Sequence, residues 1–153
     1  MNADHFLKIE NQLCFAIYAC SREITRLYRP ILEELDLTYP QFLALTVLWE
    51  NKRLTVKEMS ELLLLDSGTL TPMLKRMEGM DLIIRERAKE DERKVFVSLT
   101  EKGKLLRTDA LELPEKCIPH FGLTKGEYVE MLGKVNHIID SIQKMTRNSD
   151  EVK

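Results

Sequence analysis

A chain of 153 residues, 44% apolar and 31% charged, is long enough to bury the core of one domain and too ordinary in composition to be disordered or fibrous. It has no run of about twenty apolar residues that would cross a bilayer, and its start, MNADHFLKIENQL, lacks the basic-then-apolar signature of a secretory leader, so a cytoplasmic protein without membrane contact is expected. The net charge of −2 exerts no global pull on nucleic acid, yet affinity depends on where the cations stand, and one basic face can coexist with an acidic body.

The first predicted helix runs from about His5 to Tyr28, with Leu7, Leu13, Phe15, Ile17, Ile24 and Leu27 as its apolar residues. Within it, NQLCFAIYAC places Cys14 one turn before Tyr18, so thiol and phenol share a face. Two readings stay open on this pattern alone: a small core hydrophobe, or a reactive sulfur with a hydroxyl aimed at it. Cys20 lies about 9 Å and 240° further along the helix, too far for a disulfide with Cys14, and reads as a core cysteine. The third cysteine is Cys117. No C-x-x-C spacing occurs and His5, His120 and His137 are scattered, so neither a metal site nor a cofactor is expected.

Capping boxes mark the next helices. Thr38-Tyr39-Pro40-Gln41 opens QFLALTVLWEN, with proline in the first turn, where a missing N–H is harmless. Thr55-Val56-Lys57-Glu58 opens a short helix to about Leu62. Asp66 caps a helix from Ser67 to about Met80, which buries Leu70, Leu74 and Met77 and carries Pro72 inside, where one carbonyl loses its partner. The period then changes. LIIRER and KVFVSL are short β-branched segments, read as a two-stranded hairpin whose tip carries Arg85, Arg87, Lys89, Arg93 and Lys94 among four carboxylates. Val95, Val97 and Leu99 alternate inward, which leaves Phe96 exposed with nothing assigned to pack on it. Thr100 caps EKGKLLRTDALEL, and Thr124-Lys125-Gly126-Glu127 opens a last helix with the stripe Tyr128, Met131, Leu132, Val135, Ile138, Ile139, Ile142 and Met145.

Two short helices, a tight turn and then a hairpin make the order of a winged helix-turn-helix, in which the second helix enters a major groove by its N-terminal end. The expected fold is mainly α with a small β-hairpin wing, in a single domain over 1–153. A winged lobe spans 38–100, and dimerisation helices at 1–37 and 101–147 pair with each other and with a second subunit. Ser67, Thr69 and Thr71 supply short hydroxyls for phosphates or base edges, and Lys75 and Arg76 reach the backbone. Arg85 and Arg93 suit a minor groove, with Asp91 orienting Arg93.

The segment LTVKEMSELLLLDSGTLTPMLKRMEGMDLIIRERAKEDERKVFVSLTEKG resembles the DNA-binding lobe of the MarR family, including Asp91, Arg93, Leu99, Thr100 and Gly103 at the end of the wing. IENQLCFAIY, LTYPQFLAL and LDSGTLTPMLKRME resemble more narrowly the organic hydroperoxide-sensing, OhrR-like branch. This resemblance implies a homodimer that reads two half-sites of an inverted repeat in double-stranded DNA, and a redox role for Cys14. It also implies that Tyr28 and Tyr39 aim their hydroxyls at Cys14 from across the dimer interface, with Tyr18 in the same pocket; Phe15 and Leu43 are candidates to line that pocket with apolar surface. Within the branch, Cys117 resembles the resolving cysteine of the two-cysteine type. Such a regulator is no enzyme: the reduced protein represses, and oxidation of Cys14 by an organic hydroperoxide, followed by a disulfide with Cys117 of the other subunit, releases DNA. Three competing readings are a repressor of the same fold gated by a small aromatic ligand, a thiol peroxidase using Cys14, and an interaction module without DNA activity.

Overall fold

The computed structural model describes residues 3–150. It divides into two compact units that meet between Pro114 and Glu115.

The first unit begins with α1 (Ala3–Leu7), one 3-10 turn (Ile9–Asn11) and α2 (Leu13–Glu33). The single helix expected over His5–Tyr28 is therefore broken. Lys8 and Gln12 are extended, and the Asn11 amide turns back to the His5 carbonyl at 3.0 Å, a local bond that competes with helix. Past the break α2 continues beyond Tyr28, through Pro30.

Next comes α3 (Tyr39–Asn51), whose capping box is formed in full: Thr38 N–H donates to Gln41 Oε1 at 2.9 Å and Gln41 N–H to Thr38 Oγ1 at 3.4 Å. Phe42, Ala44, Leu45 and Leu48 are buried along this helix, which makes it the central rod of the unit. A three-residue strand, β1 (Arg53–Thr55), leads into α4 (Val56–Leu63), again through a complete capping box of Thr55 with Glu58. The turn to α5 (Ser67–Gly79) places Leu64 in the left-handed region at φ 53°. Ser60 closes that turn by donating to the Leu65 carbonyl.

The strands β2 (Ile83–Arg87) and β3 (Val95–Leu99) form the expected hairpin, but the sheet has three strands, ordered β1-β3-β2 and antiparallel throughout. Leu54 pairs with Val97 on one side of β3 and Arg85 pairs with Val97 on the other. Helix α3, the pair α4 and α5, and this sheet converge on fully buried Leu45, Leu48, Met59, Leu70, Leu74, Met77 and Val97.

Thr100 caps α6 (Glu101–Ala110). The segment expected as one helix through Leu113 breaks at Leu111 and restarts as α7 (Glu112–Cys117). Gly103 is required by close approach: a Cβ there would stand 2.1 Å from the Leu82 carbonyl oxygen. Trp49 uses the same spot, donating from Nε1 to the Gly103 carbonyl at 2.9 Å. The base of the wing is thereby tied to α3 and α6.

The second unit holds the end of α7, a 3-10 turn (Ile118–Phe121) and α8 (Lys125–Asp150). Thr124 and Glu127 form the expected box at its start, and Phe121 stacks on Tyr128 at 6.4 Å. Along α8, Val129, Met131, Leu132, Ile142 and Met145 are exposed. No helix among the described residues is long and apolar enough to cross a membrane.

Candidate functional site

The recognition end of α5 is built by its N-cap. Asp66 accepts from the Thr69 backbone N–H at 2.9 Å and from the Thr69 hydroxyl at 2.8 Å. These two bonds, the hydroxyl first, hold the Asp66 carboxyl below its ordinary range. The single Thr69 hydroxyl proton is thus spent on the cap, and this side chain can only accept unless it lets Asp66 go. Ser67, Lys75 and Arg76 are exposed and Thr71 is half-buried, while Leu70, Leu74 and Met77 anchor the opposite face as expected. Pro72 lies inside the helix.

The wing tip is closed by Ala88 N–H to the Lys94 carbonyl at 2.8 Å and Lys94 N–H to the Asp91 carbonyl at 2.9 Å. Asp91 accepts from both the backbone N–H and the Nε–H of Arg93, each at 3.1 Å. The Arg93 side chain is 93% exposed, so the carboxylate aims a guanidinium that remains open to solvent. Two expectations need correction. Arg85 is not at the tip: it lies in β2, and its side chain and backbone are both bonded to Glu78. Phe96 is not bare, because the Arg53 guanidinium lies over its ring at 4.1 Å and pairs with Glu86 at 3.4 Å. The hairpin pattern hid this partner because β1 is too short to show a period.

Cys14 is exposed in the first turn of α2. The N-cap, Gln12, makes no side-chain capping bond, so the backbone N–H groups of this turn are not taken up by a side-chain cap. Tyr18, one turn on, is 61% exposed with the Arg22 guanidinium 5.3 Å above its ring. Cys20 is exposed, not in the core as expected: it falls on a stretch of α2 where no residue from Leu13 to Glu23 is buried. Phe15 is also exposed, and Leu43 is half-buried.

The structure brings Tyr28 and Tyr39 together, with ring centroids 5.1 Å apart and Phe42 6.2 Å from each. It does not bring them to the Cys14 of the same chain, since fourteen residues of helix separate Cys14 from Tyr28 by about 21 Å. Cys117 is fully buried. Among the described residues no group of three His, Cys, Asp or Glu side chains is placed to hold a metal ion.

A helix-turn-helix braced by a three-stranded sheet, with a charged hairpin tip of mixed sign beyond it, defines a protein of the winged helix-turn-helix class. A model of the family described as "Transcriptional regulator SarA/Rot" matches residues 26–109. The organic hydroperoxide resistance transcriptional regulator of Bacillus subtilis is 56% identical over 131 residues, which cover 84% of this chain and 86% of the relative. AbfR of Staphylococcus epidermidis has been solved reduced and bound to DNA (32% identity, 91% of this chain and 95% of that one, TM-score 0.79). It is also known overoxidised and bound to DNA (35%, 86% and 97%, 0.70), and with its disulfide formed (33%, 87% and 93%, 0.65). MarR of E. coli, as a mutant in complex with operator DNA, matches at 26% identity over 82% of this chain and 92% of that one, with a TM-score of 0.74. The chain belongs to the MarR family of transcriptional regulators, in its OhrR-like branch.

Proposed function

We propose that this protein is a redox-sensing repressor whose reduced homodimer binds an inverted-repeat operator and whose oxidation at Cys14 releases it. The observation that carries the reading is an exposed thiol at the first turn of α2, in a chain 56% identical to an organic hydroperoxide resistance regulator. A thiolate is the nucleophile, and donors around it favour that form. The uncapped turn of α2 and Tyr18 are at hand in the same chain; Tyr28 and Tyr39 serve the Cys14 of the second subunit.

Thiolate sulfur attacks the terminal oxygen of the hydroperoxide. The O–O bond breaks, the alkoxide leaves and takes a proton as the alcohol, and Cys14 becomes a sulfenic acid. The Cys117 thiol of the other subunit then displaces that hydroxyl as water and forms the disulfide. Because Cys117 is fully buried, it must leave its packed position to react. That displacement is what respaces the two recognition helices, which must sit one DNA turn apart, about 34 Å, to hold both half-sites. The AbfR structures support assigning release to the bridge: that relative is seen with DNA both reduced and overoxidised, and separately with the disulfide formed. On the reading head, Ser67, Thr71, Lys75 and Arg76 meet the major groove and its phosphates. Thr69 acts there as an acceptor, and Arg93, aimed by Asp91, enters the minor groove.

The test uses a duplex enriched by the reduced protein from a random-sequence pool, titrated before and after cumene hydroperoxide. Binding that falls only after peroxide, and not in Cys14→Ser, is expected. Unchanged affinity in the wild-type protein would refute the proposal.

A further inference from the structure

Arg85 stands where a wing cation would be expected to touch DNA, and the structure gives it another partner. Its Nε–H and Nη2–H both donate to one oxygen of Glu78, at 3.0 and 2.7 Å, and its backbone N–H donates to the other at 3.1 Å. The two side chains are only 22% and 38% exposed. Glu78 belongs to the last turn of the recognition helix α5 and Arg85 to the wing strand β2.

Between them the chain reverses through Met80 and Asp81, the latter a non-glycine residue at φ 59°. The reversal itself is pinned close to its axis by Leu82 N–H to the Met77 carbonyl at 3.1 Å and by the Thr100 hydroxyl to the Asp81 carbonyl at 2.6 Å. Arg85 lies about 10 Å further out along the strand, on the way to the tip. A bond there resists rotation of the wing about the reversal with more leverage than any bond at the pivot.

We propose that Glu78 and Arg85 are positioning residues for DNA reading: their clamp sets the wing at one angle to the recognition helix, so that α5 and the Arg93 tip fit adjacent grooves of one duplex together. This rests on the proposed DNA-binding function. Neither side chain contributes a phosphate contact; each acts through the geometry of the other elements.

The clamp and a direct DNA contact by Arg85 predict opposite signs. If Arg85 touched phosphate, removing its carboxylate partner would free a cation and tighten binding, and removing Arg85 would reduce the salt slope by about 1. If the pair is a clamp, Glu78→Ala and Arg85→Ala both lose about tenfold in the ratio of specific to scrambled-duplex affinity, with the salt slope unchanged. Arg85→Lys, which keeps the charge but not the paired guanidinium bonds, falls between.

The experiment measures these variants and the wild type on the enriched duplex and on a scrambled duplex of the same composition, across a salt series. Equal specificity losses in both alanine variants support the clamp. Tighter binding by Glu78→Ala, a reduced slope in Arg85→Ala, or unaltered specificity in either would each overturn it. Failure of the wild-type protein to enrich any duplex would overturn the DNA-binding reading itself, and the clamp's role with it.

Discussion

Single side chains in this protein do different work from what their type suggests. Cys117, proposed to resolve the bridge, is buried, whereas Cys14, proposed as the sensor, is exposed. In the reduced protein Cys14 should therefore react with iodoacetamide in the native state while Cys117 stays protected until denaturant is added, as read by peptide mass. Fast labelling of native Cys117 would remove the required displacement. Arg93 is open to solvent, so Arg93→Ala should reduce the salt slope of DNA binding by about 1, in contrast to Arg85→Ala. Gly103 is set by a carbonyl oxygen rather than by its own backbone freedom. Gly103→Ala must push the Leu82 carbonyl away from 2.1 Å, at a cost of about 3 kcal/mol, measurable by urea denaturation.

Elements are held by a few directed bonds at their ends. The Thr38–Gln41 box starts α3, the helix that carries Tyr39 and the central core residues. Thr38→Ala should cost about 1 kcal/mol of global stability, again from urea denaturation; an unchanged midpoint would mean that the box only records where the helix begins. The link between α5 and β2 is electrostatic as well as covalent. Hydrogen bonds from Arg85, its side chain first, keep the Glu78 carboxyl below its ordinary range. A depressed value stabilises the folded state above the unfolded glutamate range, and this contribution is lost as pH falls through the depressed value. Acid should therefore loosen the wing and not tighten it. The amide shift of Arg85, whose N–H donates to Glu78, should titrate in NMR with a midpoint below that of an unperturbed glutamate. A midpoint at or above the ordinary value would contradict the clamp's charge state.

For the whole molecule, the apolar side chains that α8 leaves exposed are those a second subunit would cover in the proposed dimer. Met131, Leu132, Ile142 and Met145 are all at least 49% exposed, and grouped exposed apolar side chains mark interaction surfaces. We expect Leu132→Glu combined with Ile142→Glu to give a monomer in sedimentation and to lose binding to the enriched duplex, because two linked half-site contacts become one. A variant that stays dimeric would move the interface elsewhere.

Much of this was legible in the sequence because it depends on local chemistry. Capping boxes at Thr38, Thr55 and Thr124, the Asp66 cap and the change of period at Leu82 are short-range signals, and the structure honours each of them. The Asp91–Arg93 pair was readable for the same reason, since two residues of turn bring them together. The family resemblance singled out Cys14, Tyr28 and Tyr39 as candidates, but no periodicity could have put the two phenols 5.1 Å apart.

What only the tertiary structure decided are the meetings of residues distant along the chain. Arg53 on Phe96, Trp49 on the Gly103 carbonyl and the extra strand β1 all join segments more than forty residues apart. Arg85 shows the limit most plainly, for a basic residue in a charged hairpin looks available until its partner is seen to lie on the preceding helix. The physical reason is the same in every case. Propensity, capping and alternation act within about one turn or one strand, whereas a cation's availability and a thiol's exposure depend on which surfaces the fold brings against them.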